Sequence, residues 1–293
     1  MRRTLRCVVA AVMLTSFLAA CGSDDDDDEA TPAGSEATDL NVTATEVGDQ
    51  VRLDLPASIE GGIVNLTLTN SGEGLHSLQF VKVTGDHGTA DIIAFLNSTE
   101  EGGPVPDWIS EGGGIGTVPP GQTGTASFKL SDGQHIVWDD ETGGPDDTNN
   151  GTRGGIAELT VEGTGSGDLP DAVGTVSAKE YEFTVQNLKA GATSIRFENT
   201  GNEFHHFIAA PMTEGATLDQ VKAFFAAEGE PPGPPPLDFE KGVGVPVIGA
   251  GNAMVADLQL EEGNYAMVCF INDRAGGPPH FVLGMIQQVT VAA

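Results

Sequence analysis

Cysteine is scarce: the 293-residue chain has three, Cys7, Cys21 and Cys269. So small a number, so widely spaced, excludes a disulfide framework. Basic residues are few as well. Thirteen Lys and Arg stand against 43 Asp and Glu, for a formal net charge of −30. A phosphate backbone would be repelled, which argues against nucleic acid as a partner. Val8–Leu18 is an apolar run, but it falls well short of the roughly 20 residues that a membrane-spanning helix needs. His-x-His pairs are absent.

Arg2, Arg3 and Arg6 precede that apolar run and small residues follow it, the organisation of an export signal. Leu18-Ala19-Ala20-Cys21 resembles the bacterial lipobox, which implies cleavage before Cys21 and lipid attachment to its sulfur. Residues 1–20 are thus read as a lipoprotein signal peptide. Residues 21–38, with consecutive Asp from Asp24 to Asp28, read as an acidic flexible tether, since adjacent carboxylates repel and stay extended. The expected location is extracytoplasmic, at the cell surface or in the periplasm, with the membrane contacted through the lipid on Cys21. Cys7 leaves with the signal and Cys21 is lipidated, so Cys269 is the remaining thiol. It is either a buried, inert residue or a metal ligand.

From Asp39 onward apolar and polar residues alternate in short runs: Ile63 to Thr69, His76 to Val83, Thr125 to Leu130, His135 to Trp138 and Ile156 to Val161. Ala90 to Leu96 carries a helical pattern. A Gly/Pro-rich excursion covers Gly102 to Pro106 and Gly112 to Gly116. Past the linker composition of residues 164–172 the series recurs. Asn199-Thr200-Gly201 repeats Asn70-Ser71-Gly72, and His205 follows His76 by 129 positions. Val221, Ala223 and Phe224 match Ile92, Ala94 and Phe95. Gly263 to Cys269 answers Gly133 to Asp139, and Ile286 to Val291 answers Ile156 to Val161. The expectation is an all-β chain of two tandem Greek-key β-sandwich domains, residues 39–163 and 173–293, each with a short inserted helix.

Near the C-terminus Cys269 closes an apolar run, a Gly/Pro loop follows, and His280 and Met285 end the loop. A thiolate, an imidazole and a thioether therefore come from one segment. His205, at the start of a strand after a turn, supplies a second imidazole. His206 points to the opposite face of that strand. Soft sulfur donors with two imidazoles favour copper and stabilise Cu(I), whereas zinc prefers a fourth strong ligand to a thioether.

These residues resemble the cupredoxin family of blue, or type 1, copper proteins, of plastocyanin and azurin type. The His-x4-Met ending is similar to that of several members, including the type 1 site of copper nitrite reductases. Over residues 173–293 the resemblance implies one type 1 copper held by His205, Cys269, His280 and Met285. Over residues 39–163 it rests on strand pattern. His76 persists there, but Asp139, Asn150 and Gly155 stand at the positions of Cys269, His280 and Met285. One departure is the loop: ten residues separate Cys269 from His280, more than in the small blue copper proteins.

The expected function is single-electron transfer by an exported, lipid-anchored copper protein. Copper storage, delivery or sensing, and a metal-free β-sandwich binding module, are the alternatives. An enzyme is not expected. Two-domain cupredoxin enzymes add a second copper centre built from further His, and this chain has four His besides His205 and His280. The His280 edge is expected near the surface, with Pro278, Pro279 and Phe281 forming an apolar rim for a redox partner, possibly a basic one.

Overall fold

Short alternating runs closed by Gly, Pro or Asn can bury one face each, and strands are the element that does so. The computed structural model describes residues 37–98, 103–144, 146–227 and 233–293. The signal peptide, Cys21 and most of the tether lie outside the described residues. The first half contains β1 (Thr38–Val47), β2 (Gln50–Asp54), β3 (Ser58–Glu60), β4 (Gly62–Asn70) and β5 (His76–Val83). Helix α1 (Thr89–Asn97) follows, then β6 (Ile109–Val118), β7 (Thr123–Leu130), β8 (Gly133–Trp138), β9 (Thr142–Gly143), β10 (Thr148–Asn149) and β11 (Ile156–Glu162). The second half contains β12 (Gly174–Lys179), β13 (Glu182–Gln186), β14 (Gly191–Asn199), β15 (His205–Pro211) and α2 (Leu218–Phe225). It ends with β16 (Val243–Ile248), β17 (Ala253–Leu260), β18 (Gly263–Val268) and β19 (Ile286–Val291). Among the described residues no helix is long and apolar enough to cross a membrane.

Each half is a two-layer sandwich with matching strand order, except that β3 adds an edge strand to the first. In the first, β2-β1-β4-β7 packs on β3-β11-β8-β5-β6; in the second, β13-β12-β14-β17 packs on β16-β15-β18-β19. β1 and β12 run parallel to β4 and β14, so the opening hairpin of each half is added beside a strand of the same direction. The alternation predicted from the sequence is visible in burial. Leu40, Val42, Leu66, Phe80, Phe128 and Val137 fill the first core, and Val176, Ile195, Phe197, Phe207 and Met254 fill the second.

The two sandwiches share a sheet. β17 pairs antiparallel with β7, with Met254 opposite Phe128, Val255 opposite Ser127 and Ala256 opposite Ala126. The result is one eight-stranded sheet across both halves. The described residues form one compact unit. On the other layer the buried Gln79 side chain acts as a rung between halves. Its Oε1 accepts the Val247 N–H (2.8 Å) and its Nε2 donates to the Val247 carbonyl (3.0 Å).

The Gly-rich excursion proves to be a strand, β6, rather than a loop. Gly112, Gly113 and Gly114 have φ of +135°, +146° and +140°. A Cβ at Gly112 would stand 2.4 Å from the Val247 carbonyl oxygen, and one at Gly113 would stand 2.6 Å from the Phe128 ring. Only residues without side chains let this strand lie so close to both β16 and the core.

At one end of the first sandwich a polar cluster fills the interior. His76 Nδ1 lies 2.5 Å from Asp139 Oδ2, and both side chains are fully buried. Asp139 also accepts the Ser77 N–H (3.0 Å) and the Asn150 amide (3.1 Å). Glu46 Oε1 stands 3.3 Å from His76 Nε2. Burial pushes the His76 pKa down. The hydrogen bond and charge of Asp139, backed by Glu46, outweigh it and hold the pKa above the ordinary value. His76 therefore stabilises the fold as an imidazolium. That contribution is complete below the unfolded-state pKa of about 6.5 and is lost as pH rises through the raised folded value. Asp139→Ala should cost about 3 kcal/mol or more. In thermal melts at a series of pH values its deficit should be greatest below about pH 6.5 and shrink on the alkaline side. A deficit independent of pH would contradict an ionised His76.

Candidate metal centre

The corresponding end of the second sandwich is built differently. β15 pairs antiparallel with β18, Ile208 opposite Val268, which sets the start of β15 beside the residue after β18. That brings His205 to Cys269. Past Cys269 the chain leaves the sheet and returns in a tight turn. The His280 N–H donates to the Ile271 carbonyl (2.8 Å), and the Phe281 N–H to the Cys269 carbonyl (2.9 Å). The Met285 N–H donates to the His280 carbonyl (2.9 Å), and the Cys269 N–H to the Met285 carbonyl (3.1 Å). Four backbone bonds thus hold Cys269, His280 and Met285 in one knot before β19 begins.

Cys269 Sγ lies 3.5 Å from His280 Nδ1 and 4.0 Å from His205 Nδ1. The three ligand atoms all fall within 4.8 Å of one another. A trigonal ion with bonds of about 2.0–2.3 Å requires donors at about this separation. His205, Cys269, His280 and Met285 are each 0% exposed. On the outer side α2 covers the knot. Its Phe225 ring meets Phe270 at 5.1 Å and Phe281 at 5.8 Å, the residues that follow Cys269 and His280. A Thr217–Gln220 capping box starts that helix.

Burial sets the charge state of the donors. It pushes the Cys269 thiol up to about 11. It pushes His205 down to about 4, with His280 adding to the effect, and lowers His280 as well. Without metal the cluster is therefore a neutral thiol and two neutral imidazoles at neutral pH. His280 Nε2 donates to Asp273 Oδ1 (3.1 Å), which fixes the tautomer and leaves the Nδ1 lone pair directed at the sulfur. Asp273 in turn accepts the Tyr181 O–H (2.9 Å), and the Tyr181 ring meets His280 edge-on at 5.2 Å. His205 Nε2 is buried without a partner among the described residues. His206 faces away, as strand alternation requires, and its Nε2 accepts the Phe270 N–H (2.9 Å). The donor set, its spacing and its dryness fit copper.

Of the four residues expected to bind metal, the structure brings His205, Cys269 and His280 together and buries Met285 beside them. The expected surface position of His280 is corrected: its ring is enclosed by Tyr181 and Asp273. Asp273 and Tyr181 were missed. The acid lies inside the ligand loop and carried a signal; Tyr181, on the turn between β12 and β13, carried none. In the first half the equivalent positions hold the His76–Asp139–Asn150 cluster instead of soft donors.

No protein-family model and no curated protein matches the chain. Solved structures do. Auracyanin A, a "blue" copper protein from Chloroflexus aurantiacus, matches with 15% identity over 42% of this chain and 99% of its own, at a TM-score of 0.29. A copper nitrite reductase from Nitrosomonas europaea matches with 15% identity over 87% of this chain and 94% of its own, at a TM-score of 0.26. A blue copper oxidase from the same organism matches with 15% identity over 87% and 86%, at a TM-score of 0.24. At such identities and scores no residue role is transferred. The expectation that the chain is not an enzyme is nevertheless corrected, because the chains matched across both halves are a reductase and an oxidase. The repeat, the strand order and the buried His2Cys cluster give a chain of two tandem cupredoxin-like sandwiches, the second with three donors placed to hold one metal ion.

Proposed function

We propose that the protein passes single electrons through a copper ion held by His205, Cys269 and His280, with Met285 as weak axial donor. The observation that carries this reading is the buried trio of donors spaced for one trigonal ion. Bound copper supplies a one-electron couple. The chain's own part is to keep the donors in place in both oxidation states. Backbone bonds fix Cys269, His280 and Met285, β15 fixes His205, and Asp273 fixes the His280 ring. Fixed donors limit the rearrangement that accompanies electron transfer. Complete burial of the three donors favours this over storage or delivery, which require a ligand edge open to an acceptor.

The proposed redox partner docks over the chain on either side of His280. Pro278 is exposed there, Val282 is 59% exposed and Leu283 39% exposed. The net charge of −30 suits a basic partner. We further propose an extracytoplasmic protein anchored through lipidated Cys21. Cys21→Ala should move it from the membrane fraction to the soluble one, and unchanged fractionation would reject the anchor.

Loading with Cu(II) should give an intense visible charge-transfer band that Cys269→Ser abolishes. Failure to bind copper in either oxidation state would sink the reading, and colourless binding of Cu(I) alone would favour copper handling. The raised Cys269 pKa adds a second test. The thiol is protonated in the metal-free protein at pH 7, and ligation needs the thiolate. Copper uptake in weak buffer should therefore release about one proton per ion, and apparent affinity should rise about tenfold per pH unit below the thiol pKa. Cys269→Ser should release none.

A further inference from the structure

The loop between Cys269 and His280 is longer than a simple return requires, and its middle reaches the first half. Arg274 Nη2 donates to the carbonyls of Pro106 (3.0 Å) and Ile109 (2.7 Å). The Val105 N–H donates back to the Arg274 carbonyl (3.0 Å). The guanidinium lies over the Phe204 ring, 4.9 Å from its centroid, next to His205 in sequence. The Arg274 N–H donates to the Glu203 carboxylate (2.6 Å). Asp107, at 4.0 Å and fully exposed, adds little. A planar guanidinium serving two carbonyls fixes direction as well as distance. The carbonyls it engages belong to the entry of β6, the strand held against β16.

The residue before Arg274 is Asp273, which holds His280 Nε2. Two adjacent residues thus face opposite ways: the carboxylate grips the imidazole and the guanidinium grips the other half of the molecule. We propose that the first half acts as a clamp on the ligand loop, with Arg274 as the positioning residue that sets Asp273 and, through it, the His280 ring. For its consequence at the metal this rests on the type 1 copper reading. It assigns a task to a half that holds His76, Asp139 and Asn150 rather than soft donors at the equivalent positions. The clamp acts on the metal-free protein too, keeping the site formed before an ion arrives.

Arg274→Gln removes the fork. Val105→Pro removes the reciprocal N–H from the first half and leaves the guanidinium in place, so it carries the test if the arginine variant fails to fold. In the metal-free full-length protein, amide hydrogen exchange at His280 and Phe281 should quicken about tenfold in either variant, with the amides of β14 and β17 unchanged. In the copper-loaded protein the charge-transfer band and the reduction potential should both shift, and copper should pass to a chelator faster. Unchanged loop exchange with an unchanged band and potential overturns the clamp. Faster exchange throughout the chain also overturns it, since Arg274 would then serve general stability. A native protein that takes up no copper would reject the type 1 reading, while the exchange measurement would still decide the clamp.

Discussion

The short backbone ladder between β7 and β17 determines where everything else in the molecule lies. Met254, Val255 and Ala256 pair with Phe128, Ser127 and Ala126, and two sandwiches become one sheet. Once that ladder is set, the opposite layers of the two halves are brought edge to edge. β6 must then run beside β16, and a run of glycines is the composition that allows it. Gln79 meets Val247, and Arg274 arrives at the carbonyls of Pro106 and Ile109. These polar contacts are directional and would be worth little between bodies free to rotate. A shared sheet removes that freedom in advance.

The two halves place different chemistry at one architectural position. In each, a His opens the strand after an Asn-x-Gly turn, and a second donor directly follows the strand paired with it. The first half puts a carboxylate there, and its contact with His76, which raises the imidazole's pKa, fills the space. The second puts a sulfur there, and both imidazoles stay neutral beside a protonated thiol. The first arrangement is electrically complete by itself. The second has lone pairs converging on a common point and gains from a cation. The scaffold does not choose between them; Asp139 and Cys269 do.

Much of this was legible in the sequence because it is local or repeated. Alternation marked the strands, and the 129-residue offset paired His76 with His205. The Cys-His-Met segment was compact enough to read directly. The remainder depends on partners far apart in the chain. Thr123–Leu130 and Ala253–Leu260 each look like half-buried strands, and nothing in either says that they adjoin. Gly112–Gly114 looked like a loop because glycine weakens a strand, and the neighbours that made glycine necessary, Val247 beside Gly112 and Phe128 beside Gly113, lie on other strands. His280 looked exposed because its own neighbours are prolines. It is enclosed by Tyr181, nearly a hundred residues upstream.

Among the described residues Cys269 is the only cysteine, and it is fully buried. Oxidation of a thiol first gives a sulfenic acid, which a neighbouring thiol can rescue as a disulfide. Here the described chain offers no such neighbour. In a molecule whose loop opened to peroxide, no thiol of the described chain could intercept the sulfenic acid, and further oxidation to the sulfinic level would remove the sulfur donor for good. Holding the loop shut is therefore also chemical protection, and the lifetime of the site before it meets an ion is set by how seldom the two halves let go.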